Sequence, residues 1–266
     1  MRPVLEIARY EGRRRVRGTA VFAIGIAALV GLIFMIWPEM ADLNLDELLE
    51  AYPPVLRELL GVETFSTIEG FLATEIYNFV WVLLLGLYFA YSAAGTIAGD
   101  VETERMDLLL AMPLTRARVL LEKVASLAVP MVGLNVAIAI VVFVGAVAVG
   151  ETIDPVDLAM VHALSVPYFA TCAAIGIVLS VSFDRADVAN RAALGIVFAL
   201  WLVESIVALS ETFDWIGQLS PVRYYDPSAI LVHGEYDLLG AATLVVATAM
   251  LLVVAIWLFR RGDVGA

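Results

Sequence analysis

The side chains that could carry acid–base or metal chemistry are few in this sequence, and they lie far apart. The only histidines are His162 and His233, and the only cysteine is Cys172. A structural zinc site needs four clustered ligands, which these dispersed residues do not supply. A single cysteine also excludes an internal disulfide, and Cys172 lies in an apolar run, where cysteine usually packs as a small apolar residue. The chain contains no GxxxxGK[ST], HExxH or GxSxG motif. Hydrolysis of ATP by a phosphate-binding loop, and common hydrolase chemistry, are therefore not indicated.

Two polar residues stand out inside apolar segments and are candidates for a translocation path. Glu204 lies within the fifth long apolar segment, and Asn78 lies near the outer end of the second. A carboxyl group within hydrocarbon is costly, so such a residue is a functional candidate by default. An ion-coupled secondary transporter or channel that titrates Glu204 is one hypothesis. Alternatively, because Glu204 is close to the outer end of its segment, it pairs with a polar group of the outer leaflet or extends to the interface.

The elements that must position these residues are membrane-spanning helices. The chain is 62% hydrophobic, whereas soluble domains are about half apolar. An apolar stretch of about 20 residues crosses a bilayer as a helix. We therefore predict an all-α polytopic membrane protein that forms a single transmembrane domain over residues 1–266. Six spans are predicted, at about 18–37, 71–98, 125–149, 158–183, 192–209 and 238–259. Residues 1–17 contain six arginines and predict an interfacial amphipathic helix.

The distribution of basic residues predicts the orientation of the spans. With both termini in the cytoplasm, 14 of the 16 arginine and lysine residues lie inside, and only Arg57 and Arg223 lie outside. Basic residues concentrate on the cytoplasmic side of membrane proteins, so we predict cytoplasmic termini and a location in the cell membrane. Residues 210–237 then lie outside, as a re-entrant or interfacial segment. The acid-rich, lysine-poor composition resembles that of proteins from salt-loving archaea.

The longest charged run between two spans is Gly99–Lys123. It contains five acidic and four basic residues around the apolar stretch Met106–Met112, and Pro113 follows directly. This pattern predicts a short amphipathic helix that ends at the proline and lies at the membrane surface. From the pattern alone, it is either a helix that docks into a groove on a soluble partner or a solvated connecting loop.

The same run carries a resemblance to a known family. Its parts are GDVE at 99–102, MDLLL at 106–110, MPLTR at 112–116 and EK at 122–123. Together with six spans, these resemble the permease subunits of ATP-binding-cassette exporters of the second exporter class. The Gly-Thr pair that is usual before the leucine-rich helix is replaced here by Glu104-Arg105.

The resemblance implies a mechanism that the residues alone do not give. Two permease subunits, identical or related, would form the path, and separate ATPase subunits would bind the ATP, so that this chain needs no cofactor of its own. Residues 99–123 would form the coupling segment, which docks on the ATPase, with Leu109 and Leu110 facing that partner. Membrane lipid is a further expected partner and nucleic acid is not. The residues expected to contact the ATPase are Glu102, Asp107, Leu108, Leu109, Leu110, Met112, Arg116 and Arg118. An intramembrane enzyme is disfavoured because catalytic groups are missing, and the substrate is not indicated.

Overall fold

The computed structural model describes residues 5–41, 53, 64–207 and 214–261. This part of the chain is predominantly helical, and it contains no β-strand. Six of its helices are long and apolar enough to cross a membrane, which confirms the predicted fold class. Most of the predicted outer segment around Pro53 lies outside the described residues. In chain order the helices are α1 (Glu6–Ala41), α2 (Ile68–Glu102), α3 (Arg105–Leu110), α4 (Arg116–Ala125), α5 (Ala128–Val149), α6 (Pro155–Ser180), α7 (Ala186–Val207), α8 (Asp214–Gly217), α9 (Pro227–His233) and α10 (Leu238–Arg261).

The first helix differs from the predicted division into an interfacial helix over 1–17 and a separate span. The structure has one continuous helix from Glu6 to Ala41. Between these ends the only proline is Pro38, close to the C-terminal end, and arginine is a good helix former. The arginine-rich segment is therefore a direct extension of the first span.

Helices α2 and α6 form the centre of the bundle. Helix α7 packs against α2, helix α10 packs against α6, and helix α1 packs against α5. The close approach of α2 and α6 depends on Gly176, because a Cβ atom there would overlap the backbone oxygen of Ala90. Cys172, on the same helix, is fully buried, as predicted from its apolar surroundings.

Helix α2 contains an unusually long π-helical stretch, Ala73–Leu85. π-Helices are rare and mostly occur as single turns, often at functional sites. Here the neighbouring helix provides a contact to the widened backbone. The hydroxyl of Tyr168 in α6 donates a hydrogen bond of 2.8 Å to the carbonyl oxygen of Val82.

Aromatic side chains fill the space between α2 and α6. Trp81 and Phe89 of α2 and Phe169 of α6 are all fully buried. The ring centroids of Phe89 and Phe169 lie 4.8 Å apart, and those of Trp81 and Phe169 lie 5.8 Å apart. Both separations are typical of packed aromatic pairs. The centre of this single chain is therefore a packed core.

The segments at the end of the bundle that is predicted to lie outside fold back onto the spans. Helix α9 packs against both α2 and α6, and the hydroxyl of Tyr225 donates to the carbonyl oxygen of Val161 at 2.8 Å. Trp37, which the sequence places at the outer end of the first span, donates from its indole nitrogen to Glu151 at 2.8 Å. The described part of residues 210–237 consists of short helices and turns packed on the spans.

Candidate coupling surface

The coupling segment forms a short helix between two longer ones, as its sequence predicts. Helix α2 ends at Glu102, α3 occupies Arg105–Leu110, and α4 starts at Arg116. Glu104, at the start of α3, has a φ of 57°, a left-handed conformation that favours glycine. This is the position where the resembled permeases usually have glycine. Thr115 caps α4 by accepting a hydrogen bond from the Arg118 backbone N–H at 3.3 Å.

Two carboxylates of the coupling segment cap the N-terminal ends of distant helices. Glu122 accepts a hydrogen bond of 2.9 Å from the backbone N–H of Ile7, in the first turn of α1. Glu102 accepts one of 3.0 Å from the backbone N–H of Ala186, at the start of α7. The first N–H groups of a helix have no partner within the helix and carry partial positive charge. The two carboxylates therefore stabilise the N-terminal ends of α1 and α7.

A guanidinium of the same segment caps a C-terminal end. Arg116 donates a hydrogen bond of 3.0 Å to the carbonyl oxygen of Phe259, in the last turn of α10. Its guanidinium carbon also lies 5.8 Å from the centroid of the Phe259 ring. A positive charge suits this end, because the final carbonyl groups of a helix carry partial negative charge. The coupling segment therefore contacts the ends of α1, α7 and α10 through charged side chains of the appropriate sign.

A buried ion network holds the coupling segment to α1. The ammonium of Lys123, only 1% exposed, lies 2.5 Å from the carboxylate of Asp100 and 3.5 Å from that of Glu11. Arg105 completes the network at 3.6 Å from Asp100 and 4.0 Å from Glu11. A buried charge is tolerated only when it is paired, so these contacts fix the relative positions of α1, α2, α3 and α4.

Glu122 is held in its ionised form by its partners. Burial alone would raise the pKa of this carboxyl group, but hydrogen bonds from the Arg118 guanidinium, at 2.8 Å, and from the Ile7 N–H lower it below the usual glutamate range. A charged acceptor makes a stronger hydrogen bond than a neutral one. Glu122 therefore caps α1 as a carboxylate.

The large apolar side chains of the coupling segment that are exposed lie on α3, in the turn that follows it and on α4, where Leu121 is 46% exposed. Leu108 is 73% exposed and Met112, one helical turn further on, is 40% exposed. Asp107 beside them is also exposed. Leu109 and Leu110, expected to face the partner, are instead half-buried and pack against the core of this chain. Within α3 and the turn after it, the exposed large apolar side chains are thus Leu108 and Met112.

A comparison with protein families assigns the chain. The model of the family described as "ABC-2 family transporter protein" matches residues 5–264. The chain belongs to the ABC-2 transporter family. This confirms the resemblance inferred from the coupling segment and identifies the chain as a multi-pass membrane permease subunit of an ABC transporter. Membership also implies pairing with an ABC ATPase subunit. A search of curated proteins found no match.

The contact of the eight predicted residues with the ATPase stays a prediction in this ABC-2 permease. The structure gives three of the eight roles within the chain itself. Glu102 and Arg116 cap helix ends, and Arg118 bonds to Glu122. Asp107, Leu108 and Met112 remain exposed, while Leu109 and Leu110 pack α3 against the core of the bundle.

The two predicted path residues of the permease lie apart from the coupling segment, each against an element of the outer end. Glu204 is 3.8 Å from Arg223, a base that the orientation places outside, and both side chains are largely buried. Glu204 thus has a basic partner within the chain itself. Asn78 donates to the hydroxyl of Ser228, in α9, at 3.1 Å. A role of either residue in transport stays a prediction.

A buried polar cluster within the spans of the permease was not found from the sequence. His162 contacts the Tyr77 hydroxyl at 3.0 Å with one ring nitrogen and the Asn135 side-chain oxygen at 3.1 Å with the other. Ser165 donates to the same oxygen of Asn135 at 2.9 Å. The cluster joins α2, α5 and α6 by hydrogen bonds. His162 and Ser165 lie at i and i+3 on one helix, a spacing that could have indicated a shared polar face.

Proposed function

We propose that this chain is the permease subunit of an ATP-driven exporter. Two permease subunits form the translocation path between them, and separate ATPase subunits bind and hydrolyse ATP. The chain itself binds no cofactor and catalyses no reaction. The coupling segment, residues 99–123, is the element that receives the movement of the ATPase.

The contacts of the coupling segment with three helix ends carry this proposal. Charged side chains bind it to the starts of α1 and α7 and to the end of α10. The buried contacts of Lys123 add a second connection to α1. A force applied to α3 would therefore reach three spans through the residues that flank it in the coupling segment. Because Leu108 and Met112 point away from these contacts, a partner can bind them without disrupting the connections.

The aromatic core favours a translocation path between two chains rather than one through the middle of a single chain. Trp81, Tyr77, Tyr168, Phe89 and Phe169 are fully buried where α2 meets α6. Opening a passage there would require loss of the packing and hydrogen bonds of several large side chains. Separation of two subunits leaves this core intact and opens a passage between their surfaces.

The proposal is tested by co-purifying the cognate ATPase with variants of the permease. Burying a leucine side chain contributes about 1.5–3 kcal/mol, and each 1.4 kcal/mol is about a factor of ten in affinity. Leu108→Asp removes this burial and adds an unpaired carboxylate, so we expect ATPase binding to fall by well over tenfold. The amount of permease in the membrane should stay near that of the wild type, because Leu108 makes little contact within the chain.

Two control variants separate loss of docking from a general effect of charge. Leu108→Met keeps an apolar side chain and should retain the ATPase. Val188→Asp adds a carboxylate at an exposed apolar position of the same end of the bundle, outside the coupling segment, and should also retain it. Full ATPase binding by both Leu108→Asp and Met112→Asp would reject the docking role of α3.

A further inference from the structure

A cavity of about 410 Å³ opens at the base-rich end of the bundle, between α1, α2 and α7. The charged side chains on its wall are Glu11, Arg14, Arg15, Asp100, Arg105 and Lys123. Four bases against two acids leave the wall with two excess positive charges. Three further acids are close by but are not on the cavity wall: Glu122 bonds to Arg118, Glu102 accepts from the Ala186 N–H, and Glu104 is exposed. The cavity therefore favours an anion.

The excess charge is concentrated at two consecutive arginines of α1. Lys123 and Arg105 share the carboxylates of Glu11 and Asp100. Among the described residues, no carboxylate lies within ion-pair distance of Arg15. Its guanidinium is half-buried and donates only to neutral hydroxyls, those of Ser126 at 3.2 Å and Thr96 at 3.3 Å.

Arg14, beside it on the cavity wall, is exposed, and its guanidinium carbon lies 5.8 Å from the centroid of the Tyr10 ring. A partly desolvated guanidinium without a carboxylate partner gains from a bound anion. Arg14 and Arg15 thus both present a planar donor group to the same cavity. Two guanidinium groups on one cavity wall can bind several oxygens of a phosphate group.

The cavity lies at the depth of lipid headgroups. Arg15 and Arg14 precede the predicted start of the span, Gly18, by three and four residues, which is about 4.5–6 Å along a helix. Tyr91 on the wall is 47% exposed, and tyrosine is typical of the membrane–water interface. The side-chain oxygen of Asn190, also on the wall, is buried and has no hydrogen-bond partner in the described part of the chain. A headgroup hydroxyl could donate to it.

We propose that this cavity binds the phosphate group of an anionic lipid from the cytoplasmic leaflet, with Arg14 and Arg15 as its principal ligands. The lipid contacts α1, α2 and α7 together, beside the ion network that holds the coupling segment. This site needs no ATPase, so it is separate from the docking role proposed for α3.

The test uses the full-length permease, purified in neutral detergent and titrated with short-chain phosphatidylglycerol. The readout is the rise in the midpoint of thermal denaturation, which gives an apparent Kd when it saturates. Phosphatidylcholine and inorganic phosphate are titrated in parallel. We expect a saturable rise with phosphatidylglycerol and a much smaller one with the other two probes. Arg14→Gln and Arg15→Gln should each weaken the apparent Kd by about tenfold or more.

Arg13→Gln is the matched control, because it removes the same charge from the same helix. Arg13 is exposed and is not on the cavity wall. Its apparent Kd should stay within about twofold of the wild type, since only long-range attraction is lost. Equal weakening in all three variants would show general attraction to the arginine-rich helix and overturn the site. An equal rise with inorganic phosphate would overturn the lipid as ligand. If Arg15→Gln fails to fold, Arg14→Gln decides. The Arg14 side chain takes no part in the hydrogen bonds that Arg15 makes with Ser126 and Thr96.

Discussion

Replacing Lys123, the only lysine in the chain, should strongly destabilise the end of the bundle that carries the coupling segment. Its ammonium is 1% exposed and lies 2.5 Å from Asp100 and 3.5 Å from Glu11. Lys123→Met keeps most of the side-chain volume but leaves two carboxylates with Arg105 as their remaining basic partner. Removal of one partner from a buried ion pair costs about 3–5 kcal/mol. For a chain of this size, each kcal/mol shifts the midpoint of thermal unfolding by about 2–4 °C, so we expect a fall of about 6 °C or more.

The measurement is thermal denaturation of the purified permease in detergent, with a double variant to isolate the cause. Lys123→Met combined with Asp100→Asn removes the carboxylate nearest to the lost ammonium. It should recover at least half of the lost stability, because the main cost is an uncompensated buried charge. A midpoint for Lys123→Met within about 2 °C of the wild type would refute the reasoning. So would strictly additive losses in the double variant.

Three other outcomes are expected. Gly176→Ala should lower the free energy of unfolding by about 1–3 kcal/mol, because the added Cβ would overlap the Ala90 backbone oxygen. Gly195→Ala should not lower it, because a Cβ there meets no neighbour. Thermal denaturation of both variants distinguishes the two outcomes. Because the pKa of Glu122 is lowered in the folded chain, its contribution to stability is present at neutral pH and is lost as pH falls below the ordinary glutamate pKa of about 4.3. From pH 7 to pH 3 the midpoint of thermal denaturation should therefore fall less steeply for Glu122→Gln than for the wild type. Parallel curves for the two proteins would contradict this. In a variant without the native cysteine, an impermeant thiol reagent should label a cysteine at Glu235 but not one at Glu104 in sealed right-side-out vesicles; the reverse result would invert the orientation.

The spans and the coupling helix could be predicted because their signals are local. A helix that crosses a membrane must satisfy its own backbone, so apolar length is sufficient to find it. Likewise, Pro113 after a leucine-rich run is sufficient to end α3. These elements appear in the structure within a few residues of their predicted bounds, except that α1 starts earlier and α7 begins at Ala186.

The partners of the charged residues could not be predicted, because they are distant in the chain. Glu122 bonds to a backbone group 115 residues away, and Arg116 to one 143 residues away. A charge run indicates that such residues lie at a surface but does not identify the helix ends they cap. The exposed side of α3 could not be predicted for a related reason. In a helix of six residues the apolar pattern does not fix the rotation, so Leu109 and Leu110 were expected outside although Leu108 is the exposed residue.

The π-helical stretch of α2 has a consequence for the biogenesis of the permease. It is contacted by residues that are synthesised much later: the Tyr168 hydroxyl donates to the carbonyl oxygen of Val82, 86 residues earlier, and the Asn78 side chain donates to the Ser228 hydroxyl, 150 residues later. An isolated segment has no reason to leave the α-helical form, which is the common one. We therefore expect residues 73–85 to enter the membrane as an ordinary α-helix while the ribosome is still extending the chain. The change to π-helical winding would then follow the insertion of α6, and the register of α2 above the coupling segment would be set late in the folding of the subunit.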